Sequence, residues 1–194
     1  MNALLQEALA LRARYDEEPS HSDHVSALAL QIFDDLGKWH GFVSRQRELL
    51  QAAALLHDIG WSQTPDGKGH HKWSARLIQE HAWKNLKEEE IPLVAQTARY
   101  HRKTPPEPDH VDFHALTASG QRQVMILGGI LRIADALDRT HTGKIERLEA
   151  SFTDKAVLIR VKPAGKWEAE YAMVETKRDM LEHAAGRSVL CEEL

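Results

Sequence analysis

The stretch "LLHDIG", Leu55 to Gly60, sets a histidine and an aspartate side by side where an apolar helix stops. The run before it, "LLQAAALL" from Leu49 to Leu56, is apolar nearly all round a helix, which is the pattern of a buried one. A helix C-terminus carries partial negative charge and favours cations. Asp58 is the wrong sign for that place, and a buried carboxylate is costly without a partner. A bound metal ion satisfies it, so the remaining ligands are sought in the flanking helices.

Upstream, Val25, Leu28, Ala29, Ile32, Phe33 and Leu36 fall at helical spacing, with Ser20 as the expected N-cap and Gly37 as the stop. His21 lies four residues before Val25, about 40° away around a helix, so it faces the bundle interior, whereas His24 lies nearer the edge of the apolar stripe. Downstream, "ILRIADALDR" embeds Asp135 among Ile133, Ala134, Ala136 and Leu137. That aspartate needs either a salt bridge to Arg132 or Arg139 or a shared cation. Asp138 and Arg139 come next and suit a supporting role. Together His21, His57, Asp58 and Asp135 bring two imidazoles and two carboxylates from three helices toward one point. Such a set suits divalent Mn, Fe, Co, Ni, Zn or Mg. Four protein ligands on an octahedral ion leave places for water and a phosphate oxygen, as metal-assisted hydrolysis requires.

The wider chain agrees with a compact globular protein. Its 194 residues favour one domain with an appendage, and 42% hydrophobic residues suffice for a core. No apolar run is long enough to span a bilayer, and the N-terminus has no signal-peptide pattern. One cysteine, Cys191, fits a reducing compartment, so a cytoplasmic location is expected. A net charge of −4 argues against generic nucleic-acid binding. The expected helices are 2–16, 20–36, the 49–56 run, 71–83, 88–101 and 119–140, with "KTPPEPDH" forced into a loop by its prolines. "IERLEASF" and "KAVLIRVK" alternate around the turn "TDK" and read as a β-hairpin. "KWEAEYAMVETKRDMLEHAAG" is expected to begin extended and return to helix before Gly186. The fold class is mainly α: a helical domain over 1–144 and a small α+β extension over 145–194.

"HSDHVSALAL", "LLHDIG" and "LRIADALD" resemble the three motif segments of the HD-domain metal-dependent phosphohydrolases. "GHHKWSARLI", "ARYHRK" and "LRIADALDRTHTG" resemble more closely the C-terminal helical region of the exopolyphosphatase/guanosine pentaphosphate phosphatase (Ppx/GppA) family, and the tail resembles the end of that same region. The family's N-terminal actin-like catalytic domains have no counterpart in these residues. The HD pattern selects His21 over His24 and makes Asp58 the central catalytic carboxylate. It also implies a second ion on His101 and on one of His70 and His71, with Asp58 bridging; the match of "HHKWS" to the family's "HHKHS" favours His71. Trp73 then stands where the family has a histidine.

Lys72, Arg102 and Lys103 flank these histidines and suit phosphate binding. Trp61 suits stacking on a base or closing the core. The expected activity is metal-dependent hydrolysis of a phosphomonoester or phosphoanhydride, with a nucleotide or polyphosphate as small-molecule substrate. The alternative is a non-catalytic polyphosphate- or guanine-nucleotide-binding module, related to the accessory region of the exopolyphosphatases. A purely structural bundle leaves Asp58 and Asp135 unexplained. A homodimer is compatible with either reading.

Overall fold

The computed structural model describes residues 2–16 and 18–194. Ten α-helices are present among them: α1 (Ala3–Arg12), α2 (Pro19–Asp35), α3 (Gly37–His40), α4 (Ser44–Leu56), α5 (His70–Glu80), α6 (Ile91–Arg99), α7 (Val111–His114), α8 (Ala118–Ala136), α9 (Glu168–Lys177) and α10 (Asp179–Ala185). A 3-10 helix covers Ile59–Gln63, and the strands are β1 (Ile145–Phe152), β2 (Ala156–Pro163) and β3 (Ser188–Glu193). No helix among the described residues is long and apolar enough to cross a membrane.

α4 and α8 form the spine, with α1, α2 and α6 packed around them. Leu50, Ala53, Ala54 and Leu56 of α4 are fully buried, as the all-round apolar run requires. On α8, Gly129 lets α10 approach closely: a Cβ there would lie 2.9 Å from the backbone of Leu181. The C-terminal unit is thereby seated on the helix that carries Asp135.

β1 and β2 form the expected antiparallel hairpin, pairing Leu148 with Val161 and Ala150 with Ile159. β3 is an addition: it joins β2 in parallel, pairing Val157 with Val189 and Ile159 with Cys191. The strand is short, but its alternation buries Val189 and Cys191 and leaves Leu190 exposed. The extended start expected after Lys166 is replaced by α9. Glu168 and Glu170 suit the positive end of a helix, while Glu170 and Val174, four apart, bury one face.

Several boundaries also move. α2 begins on Pro19, whose fixed φ suits the first helical position, and no side chain caps it, so Ser20 is not the N-cap. α8 starts after Thr117, whose side chain accepts from Gly120 N. It stops at Ala136, and residues 137–139 continue as turns that swing Asp138 back toward α2.

Candidate metal centre and phosphate cleft

α4 ends at Leu56, and His57 and Asp58 form the junction with the 3-10 helix. His57 is fully buried, and its Nδ1–H donates to Ala54 O at 2.7 Å. That bond leaves the lone pair of Nε2 facing inward. Gly60 sits against the start of α5: a Cβ there would lie 2.1 Å from His70 O and 2.5 Å from Ser74 N. Only glycine permits this approach, and Gly60 N donates to Ser74 Oγ at 2.9 Å. The glycine that closes "LLHDIG" thus brings α5 beside Asp58.

Two triads result, and within each the ligand-type atoms lie within 4.8 Å of one another: His21, His57 and Asp135, and Asp58, His70 and His101. Asp135 Oδ1 is 3.4 Å from His21 Nε2 and 3.8 Å from His57 Nε2. Asp58 spans the two groups. Its Oδ2 lies 3.6 Å from His57 Nε2 and 3.9 Å from His21 Nε2, while its Oδ1 lies 3.3 Å from both His70 Nε2 and His101 Nε2.

Each imidazole is pinned through Nδ1: His70 to Gly67 O at 2.8 Å, His101 to Ala98 O at 2.7 Å, and His21 to Asp138 Oδ2 at 2.8 Å. Fixing one ring nitrogen on a carbonyl or carboxylate orients the other, as metal-ligating histidines require. His21 Nε2, His57 Nε2 and Asp58 Oδ1 are buried without a hydrogen-bond partner. Orphaned atoms of this kind are rare in folded proteins, and these converge on one place. The donor set therefore fits one or two divalent ions.

His70, not His71, enters the cluster. Residues adjacent in a helix point about 100° apart, so the two cannot share one target. His71 lines a neighbouring cleft instead. The three expected phosphate-binding cations likewise divide. Arg102 lines the cleft over the cluster, while Lys72 and Lys103 line the neighbouring one, which Arg102 also reaches.

Burial lowers the pKa of His70 and His101, and drops His71 to about 4, so these rings are neutral at pH 7. Burial also opposes charge on His21, but the nearby carboxylates of Asp135 and Asp138 outweigh that and raise it to about 10. Burial opposes ionisation of Asp58 and Asp135 too; His57, first among the neighbouring groups, lowers the pKa of Asp58 against it, and Lys177 with His21 lowers that of Asp135.

The salt bridge considered for Asp135 is made by neither Arg132 nor Arg139. Its partner is Lys177 of α9, which contacts Oδ2 directly. Arg132 is buried and instead ties Tyr100 O and Lys103 O to Asp179 at the α9–α10 junction. The sequence carried no local signal for Lys177, because it lies 42 residues from Asp135.

Two clefts meet over the cluster. One, of about 210 Å³, is lined by Asp58, His70, His101, Arg102, Arg139 and Lys177 among others. The second, of about 510 Å³, is lined by Tyr15, Asp16, Glu18, His21, Asp58 and Trp61 among others. His141 lines both, stacked on His21 with ring centroids 3.7 Å apart. Trp61 stacks on His70 at 4.5 Å and is 47% exposed, so its outer edge faces the cleft rather than closing the core.

No curated protein matches the chain. The family model described as Ppx/GppA phosphatase, domain III, matches residues 6–182, and the chain belongs to that family.

Proposed function

We propose that the protein is an HD-type, metal-dependent phosphohydrolase acting on a phosphomonoester or phosphoanhydride of the nucleotide or polyphosphate class. One observation carries this reading: six histidine and aspartate side chains converge on one place, and His21 Nε2, His57 Nε2 and Asp58 Oδ1 among them are buried without a hydrogen-bond partner. His21, His57, Asp58 and Asp135 would hold one divalent ion, and Asp58, His70 and His101 a second. Bound there, divalent ions lower the pKa of water and polarise a phosphoryl oxygen.

The chain's own groups supply the rest. Arg102, Arg139 and Lys177 place positive charge on the cleft where the phosphoryl group sits, and charge-assisted bonds to its oxygens fix its orientation. Asp138 keeps His21 oriented. The larger cleft beside Trp61 and Tyr15 receives the remainder of the substrate, and the exposed indole edge offers an apolar surface for a ring.

The family match favours one other reading, since domain III is an accessory region: a binding module for polyphosphate or a guanine nucleotide, with metal but without turnover. Phosphate release from a panel of phosphate esters, with Mn, Co, Ni, Zn or Mg, decides between them. Turnover that disappears in Asp58→Ala supports the enzyme. Tight binding of a panel member with no release supports the module.

A further inference from the structure

Behind the cluster lies a cleft of about 310 Å³, between the start of α5 and the loop after α6. Lys72, Arg99, Arg102 and Lys103 line it, and no carboxylate does. On a chain of net charge −4 this is a local concentration of positive charge. Three carboxylates lie outside the lining: Asp112, 3.8 Å from Arg99, and Glu107 and Asp109, each with an oxygen within 4.8 Å of a His110 ring nitrogen.

Two histidines complete the lining. His71 is buried, lines the cleft, and has no partner for its Nδ1 among the described residues. Such an atom is costly unless something outside the chain satisfies its ring. His110 Nδ1 accepts from Glu107 N at 3.1 Å and lies 2.9 Å from Tyr100 Oη.

The wall is also held in place. Lys103 has a left-handed backbone, φ 67°, which is uncommon outside glycine. Its carbonyl is tied at 2.8 Å to the buried guanidinium of Arg132.

We propose that this cleft is a second anion site, separate from the metal-type cluster, which takes an oxyanion of the phosphate or diphosphate class. Arg102 lines both clefts and is the one cation they share. The buried, unpartnered ring of His71 in the lining distinguishes the site from a basic surface. The site needs no metal, so it stands or falls independently of the hydrolase reading.

Calorimetric titration with inorganic pyrophosphate, on the protein stripped of metal with a chelator that is then removed, tests it. The wild type should bind one equivalent saturably. Lys72→Glu, an exposed change that spares the core, should weaken binding at least tenfold, as should Arg99→Ala with Lys103→Ala. Arg139→Ala, at a cation that lines only the cluster cleft, should bind as the wild type does. Absence of saturable binding overturns the proposal. So does unchanged affinity in folded Lys72→Glu, or loss of binding in folded Arg139→Ala, which would assign the anion to the cluster cleft.

Discussion

The Nδ1–H of His21 donates to Asp138 Oδ2 at 2.8 Å, joining α2 to the turn after α8. Asp138 is itself buried and also accepts from Gly143 N at 2.8 Å. The pair fixes which nitrogen of His21 faces Asp135. Asp138→Asn keeps the shape but weakens the acceptor. Metal affinity should fall about 10- to 100-fold with the fold intact, the usual effect of losing a ligand's supporting carboxylate. Isothermal titration with Mn checks this, and unchanged affinity removes Asp138 from the account.

His70 and His71 should behave differently despite being neighbours. His70→Ala should remove the second equivalent of metal and leave the first. His71→Ala should leave the metal stoichiometry unchanged, because its ring lines the other cleft. Metal counted by mass spectrometry on the two variants separates them; the opposite pattern would favour the alignment over the geometry.

Lys177 neutralises Asp135 in a buried setting. Lys177→Met leaves that carboxylate with His21 as its nearest remaining partner, and breaking a fully buried pair costs about 3–5 kcal/mol. Lys177 and Asp135 retain slight exposure, so about 2 kcal/mol is expected without metal. Added metal should recover most of the lost stability. Urea midpoints with and without Mn read this directly, and equal destabilisation in both would show that Lys177 acts only through packing.

Glu90 ties α4 to the start of α6. It accepts from Arg45 Nε at 2.8 Å and from Lys87 N at 2.9 Å. Arg45 first, and Lys87 second, hold its pKa below the usual glutamate value against burial. A carboxylate with a lowered folded pKa stabilises the protein above its unfolded pKa, and this is lost as pH falls through the folded one. Glu90→Gln should therefore be less stable than wild type at pH 7 by about 1–2 kcal/mol. The difference should shrink below about pH 4.5, near the unfolded glutamate value. Denaturation midpoints from pH 3 to 7 test the convergence.

Much of the architecture was legible because helical periodicity reports burial. His21 and Asp135 lie among apolar residues at helical spacing, so both could be aimed inward from sequence, and the structure brings them beside His57 and Asp58. His70 and His71 could not be separated that way, since both lie at a helix start. The left-handed Gly69 and the bond from His70 to Gly67 O fix the choice, and both depend on the loop's course. Lys72 and Lys103 were assigned to the cluster by proximity in sequence, but they line the other cleft. Lys177 and β3 went unread for a different reason: each acquires its role from a partner distant in sequence.

The central claim is that this cluster binds divalent metal. Anomalous diffraction from crystals grown with Mn tests it most directly. The account predicts two anomalous peaks, one bounded by His21, His57, Asp58 and Asp135 and one by Asp58, His70 and His101. No peak within the cluster, with these six side chains still converging, would contradict it.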